Sequence, residues 1–95
     1  MTVDVLASVR LEFRDALRWY REQSATTARR FALEVKSAIA AIEKHPESYA
    51  RWGEKYRFYL VNRFPYYVAY RYTSNQVTIV AIRHAAQDQD VWKGR

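Results

Sequence analysis

The sequence contains no cysteine. That excludes a disulfide framework, a thiolate metal site and a cysteine nucleophile. Histidine is nearly as scarce: His45 and His84 stand far apart and fit no metal-ligand spacing. The residues therefore point to no metal or cofactor. Gly and Pro occur twice each, which argues for regular elements joined by short connections. No apolar run approaches the ~20 residues needed to span a bilayer. The first residues lack a basic segment followed by an apolar one, so no secretory signal is read and a cytoplasmic protein is expected.

Basic charge and aromatic rings are plentiful. Sixteen Lys+Arg stand against ten Asp+Glu, a formal net charge of +6, and twelve of the sixteen are Arg. Arginine suits planar, bidentate contacts with phosphates and carboxylates and stacks on rings. Aromatic residues make up 16% of the chain, with eight Tyr. Together they point to a surface for nucleic acid or for an acidic protein segment. A solvated surface that is merely basic is the competing account. The length of 95 residues allows one core and hence one domain, residues 1–95.

Thr2 to Leu6 reads as a short strand. Val9, Phe13, Ala16, Leu17 and Tyr20 make a helical stripe through Gln23, with Ser8 as the expected N-cap. Ser24 to Thr27 is a connection rich in small hydroxyl residues. Ala28, Phe31, Ala32, Val35, Ala38, Ile39 and Ile42 form the stripe of a second helix, which Pro46 stops. Two helices across a short connection make an antiparallel hairpin. Glu47 to Glu54 reads as a loop. Strands are expected at Tyr56–Val61, Tyr66–Tyr72 and Val77–Ile82, an antiparallel meander. Period two puts Tyr56, Phe58, Leu60, Tyr66, Val68, Tyr70, Val77 and Ile79 against the helices. It leaves Arg57, Tyr59, Tyr67, Arg71, Thr78 and His84 on an open face. The tail from Ala86 to Arg95 is polar apart from Trp92 and is expected to form a short terminal helix. The fold class is thus α+β, in the order β-α-α-β-β-β. Arginines and tyrosines on a bare sheet face suggest a binding surface.

This order resembles the RelE/ParE toxin superfamily of bacterial toxin–antitoxin modules. The likeness is carried by Phe13 with Trp19-Tyr20, and by Phe31, Glu34, Ala38 and Ile42 up to His45-Pro46. It continues in Arg57, Leu60, Arg63-Phe64-Pro65-Tyr66 and Tyr70-Arg71, and in Ala81-Ile82-Arg83-His84 followed by Trp92. It is strongest to the ParE-like, plasmid-stabilisation branch. The resemblance implies a growth-inhibiting toxin neutralised by a cognate antitoxin. ParE-like members poison DNA gyrase, and RelE-like members cut messenger RNA on the ribosome. Either target gives a route to contact with nucleic acid.

RNA cleavage needs cations that activate the 2′-hydroxyl, hold the phosphate and protonate the leaving oxygen. Of the positions where RelE-like enzymes carry them, Arg57 matches the first. The others fall on Tyr59, near Tyr67, near Ala86 and near Trp92. His84 is a second weak catalytic candidate, with an unperturbed pKa of ~6.5. The match is poor, so a binding-type inhibitor is expected more than an enzyme. In the ParE-like pattern a basic pair and a proline follow the histidine. Here Ala85-Ala86-Gln87-Asp88-Gln89-Asp90 stands instead, which bears on activity and leaves the fold alone. The expected contact residues for target or antitoxin are Arg57, Tyr59, Tyr67, Arg71, Arg83, His84 and Trp92. An mRNA endonuclease and a nontoxic antitoxin-binding module remain the alternatives, and a 1:1 or 2:2 complex with antitoxin is expected.

Overall fold

The structure, a computed structural model, describes residues 1–95. The elements are β1 (Thr2–Val5), α1 (Ala7–Gln23), α2 (Ala25–Lys44), β2 (Ala50–Trp52), β3 (Tyr56–Leu60), β4 (Tyr66–Tyr72) and β5 (Gln76–His84), then one turn of 3₁₀ helix at Gln89–Val91. The five strands form one sheet in the order β1-β5-β4-β3-β2. All neighbours are antiparallel except β1, which lies parallel to β5. The α+β class stands as expected, with one strand more than the sequence reading. Ala50–Trp52 falls in the segment read as a loop, and it pairs with β3 through a turn whose Gly53 takes φ +69°. A side chain rarely adopts that conformation and glycine does so freely.

The two helices meet at a single residue. Ser24 donates its N–H to Tyr20 O at 2.8 Å, closing α1. Its hydroxyl accepts the Thr27 N–H at 3.3 Å, opening α2. One extended serine therefore does the work expected of Ser24 to Thr27, and α2 starts at Ala25. Ser8 does not cap α1. Leu6 holds that place without a side-chain cap, and Ser8 lies inside the first turn.

The stripes of both helices bury against one sheet face. Val9, Ala16, Phe31, Val35, Ala38 and Ile42 join Val68, Tyr70, Val77 and Ile79 in the main core. Phe31 is its hub, with ring centroids of Tyr20, Tyr66, Phe64 and Phe13 at 4.9, 5.0, 5.2 and 5.9 Å. Such pairs add about 0.5–1.5 kcal/mol each beyond their burial.

The far face is not bare, and this corrects the expected open surface. Tyr56, Tyr67, Ala69, Val80, Ala81 and Trp92 make a second core there, with Trp52 and Phe58 packed on it. The C-terminal tail crosses the sheet and inserts Trp92, which is 0% exposed. The phase of β3 is also the reverse of the one expected. Arg57 pairs with Tyr70 and Tyr59 with Val68, so both side chains share the helix-facing side. Tyr56, Phe58 and Leu60 stand on the other. Apolar residues on both sides of the strand remove the alternation from which a phase is read.

A bulge produces the other departure. Ala69 pairs with Ala81 but Tyr70 with Ile79, so Val80 is the extra residue of β5. A bulge shifts every later side chain to the opposite face. Ile82 thereby joins the main core, and His84 stands over Tyr66 at 5.3 Å rather than on the far face.

Tyr70 is 0% exposed and its hydroxyl donates to the Pro46 carbonyl, tying β4 to the end of α2. Burial pushes its phenol up to about 12. The stabilisation tied to the protonated form is complete below pH ~10 and is lost as pH rises through about 12. Replacing Tyr70 by Phe is expected to cost about 1 kcal/mol at neutral pH, because Pro46 O loses its partner. The same variant should lose stability less steeply than the wild type between pH ~10 and ~12. Denaturant titrations across that range measure both.

Candidate functional site

The seven expected contact residues do not form one site. The strand directions divide them between two ends of the sheet, roughly 20 Å apart at ~3.3 Å per residue over β4. Arg57 and Arg71 lie at the end where β3 begins and β4 finishes. Arg83 and His84 lie at the end where β5 finishes. Tyr67 pairs with Arg83 at that end, Tyr59 pairs with Val68 beside it, and Trp92 packs on Tyr67 across the far face.

Arg57 donates from Nη1 to Tyr49 O at 2.7 Å and lies over the Tyr72 ring at 5.8 Å. Arg71 donates from Nε to the main-chain oxygen of Arg95 at 3.1 Å. Arg57 shares the face of its partner Tyr70 and Arg71, the next residue of β4, takes the other face, and both line one polar cavity at the sheet end with Arg51 and Lys55. Tyr59 sets its ring edge-on to Tyr49 at 4.8 Å. Tyr67 is 3% exposed, and its hydroxyl accepts the Trp92 indole N–H at 2.8 Å. Burial raises the Tyr67 phenol, against smaller lowering effects from that hydrogen bond and from Arg83.

At the opposite end a single carboxylate gathers the cations. Glu12 Oε2 accepts from Arg83 Nη1 at 3.1 Å and from Arg95 Nη1 at 3.0 Å. Glu12 Oε1 accepts the Ile82 N–H at 3.3 Å, beyond the point where β1 stops pairing with β5. His84 is held in the turn that follows. Its Nδ1 accepts the Ala86 N–H at 3.0 Å, and its own N–H donates to Gln87 Oε1 at 2.8 Å. With Nδ1 accepting from Ala86, the Nε2 edge is the one left to donate. Ala86, Gln87 and Asp88 are exposed there, where the ParE-like pattern carries its cations. No group of three or more His, Cys, Asp or Glu could hold a metal ion. No helix is long and apolar enough to cross a membrane.

An open apolar groove between the two helices was not expected. Val9 and Phe13 of α1 with Ala32, Leu33 and Ile39 of α2 line an open groove of about 470 Å³, to which Arg10 and Lys36 add charge. Leu33 is 61% exposed. The signal in the sequence was Leu33, a leucine outside the α2 stripe and next to Glu34.

The family model described as "ParE toxin of type II toxin-antitoxin system, parDE" matches residues 3–89. The chain belongs to the ParE toxin family. Membership makes it the toxin component of a type II toxin–antitoxin system and places it in the RelE/ParE superfamily. A solved structure titled "Chromosomal ParDE TA system from P. aeruginosa" is similar at TM-score 0.77 and 12% identity. The match covers 88% of this chain and 95% of that one, so the fold is shared where the sequences have diverged. No curated protein matches the sequence.

Within this ParE family member, Trp92 is a core residue. The Trp92→Ala change is expected to cost about 3–5 kcal/mol, in the range of core tryptophan truncations. Trp92→Phe should cost less, since it keeps most of the ring contacts with Trp52 and Tyr56. Thermal unfolding followed by circular dichroism reads both. An unchanged melting temperature in Trp92→Ala would mean that the indole does not hold the tail.

Proposed function

We propose that this chain inhibits growth by binding DNA gyrase rather than by cleaving RNA, and that a cognate antitoxin neutralises it. The observation that carries the reading is the fate of the positions where a nuclease of this superfamily needs its acid, base and phosphate holders. Of these positions only Arg57 keeps a cation, and Tyr59 packs on Tyr49 instead of joining it. Tyr67 and Trp92 bond each other inside the second core. Ala86 has no group with which to hold a phosphate. His84, the remaining candidate, pairs with Tyr66 at the opposite end of β4 from Arg57, so these two do not converge on one phosphate.

A binding inhibitor needs surface instead. The antitoxin segment proposed here is amphipathic and acidic, seated in the α1–α2 groove. Its apolar side chains would cover Leu33, Phe13 and Ile39, and its carboxylates would meet Arg10 and Lys36. The far sheet face, expected to serve this purpose, is taken by the chain's own tail.

Induction without antitoxin is expected to slow growth, raise the DNA-damage response and produce filamentous cells. Primer extension on messages from the same cells should show no ribosome-dependent cuts. Codon-specific cleavage would return the nuclease reading. Harmless expression, unchanged by Ala86→Arg with Gln87→Arg, would favour a nontoxic antitoxin-binding module. For the groove, Leu33→Glu should leave the fold within about 0.5 kcal/mol, as exposed substitutions do. It should abolish rescue by co-expressed antitoxin while toxicity persists, and continued full rescue would exclude the groove.

A further inference from the structure

At the end of the sheet away from His84, the β2–β3 turn and the end of β4 enclose a polar cavity of about 370 Å³. Arg51, Lys55, Arg57 and Arg71 line it, with Thr73 and Ser74 beside them. These cations come from three strands and a turn, so the fold rather than one basic run brings them together. Glu54 is the single carboxylate in the lining. None of the four cations forms an ion pair with an Asp or Glu side chain, whereas Arg83, Arg95, Arg30 and Lys93 all do.

Each of the three arginines gives a bond to a main-chain oxygen. Arg51 Nη2 reaches Glu54 O at 3.5 Å, Arg57 Nη1 reaches Tyr49 O at 2.7 Å and Arg71 Nε reaches Arg95 O at 3.1 Å. A guanidinium carries five N–H donors, so such a bond orients the fork and leaves most donors free. The Tyr72 ring adds a face beneath Arg57 at 5.8 Å. The result is a set of cations without Asp or Glu side-chain partners in a concave place, where the field of like charges is concentrated.

We propose that this cavity binds the phosphodiester backbone of a nucleic acid. Bidentate guanidinium–phosphate contacts fix position without reading bases. Four cations spread across neighbouring strands suit successive phosphates better than one free phosphate ion. An acidic peptide is a poorer fit, because the lining is hydroxyls and guanidiniums with little apolar surface. The inference goes beyond the toxin reading and does not depend on it.

The experiment uses the purified full chain with a labelled random-sequence duplex DNA and, separately, a single-stranded RNA. Affinity is measured against salt concentration, with neither gyrase nor antitoxin present, so failure of the toxin reading leaves the result untouched. Arg51→Gln with Lys55→Gln removes two exposed cations of the cavity. It should flatten the slope of log affinity against log salt by roughly 1.8 on duplex, at ~0.9 per phosphate contact. Arg14→Gln with Arg18→Gln removes the same charge from the exposed face of α1 and should leave the slope as it was. Loss on duplex, on RNA or on both through the cavity pair supports the site and names its source. Equal loss in the two double variants would reduce the effect to net charge and overturn the proposal. So would absence of binding at low salt, or tighter binding of a poly-glutamate peptide than of either nucleic acid through the same residues.

Discussion

One carboxylate holds the two layers and the tail in register. Glu12 lies on the sheet-facing edge of α1, accepts the Ile82 N–H where β1 runs out, and takes Arg83 and Arg95 on its other oxygen. Its side chain is only 14% exposed, so the three bonds form where water competes weakly. Breaking a buried pair by removing one partner costs about 3–5 kcal/mol, because the other charge stays behind uncompensated. Here two cations and an N–H would be left at once. Arg95 also reaches Val80 O at 3.1 Å, and the Gly94 N–H meets the Tyr56 hydroxyl at 2.9 Å. These bonds carry the chain back across the far face and seat Trp92 beneath it. The second core therefore depends on a residue of the first helix.

That dependence explains what the sequence could and could not yield. The helix stripes were legible because Phe31, Val35, Ala38 and Ile42 repeat at helical spacing and meet one partner only. The meander was legible from its turns. The phase of β3 was not, because Tyr56 and Phe58 satisfy one core while Tyr59 and Val61 satisfy the other. Arg57 suggested an outward phase, but its guanidinium escapes at the strand end to bond Tyr49 O. The bulge at Val80 lies in a run of β-branched and small residues that carries no sign of it, and it alone decides on which face Ile82 and His84 fall.

The candidate site was half legible for the same reason. Residue type singled out Arg57, Arg71, Arg83, His84, Tyr59, Tyr67 and Trp92. Topology then gave them different work. Trp92 and Tyr67 close a core, Arg83 neutralises Glu12, His84 stabilises a turn, and only Arg57 and Arg71 remain together beside a cavity. Most of these residues thus build the fold. A solved structure at 12% identity has the same architecture. The surface left for partners lies on the helical hairpin and at the Arg57–Arg71 end.

The central claim is that this toxin acts by occupying its target rather than by turnover, and the stoichiometry of inhibition tests it most directly. Purified chain titrated into a gyrase supercoiling reaction should inhibit in proportion to occupancy, saturating near equal numbers of toxin and gyrase subunits. Added at the same concentrations to a translating extract, it should leave message intact. Loss of message at a small fraction of the ribosome concentration, with supercoiling unaffected, would contradict the account and make the protein an enzyme.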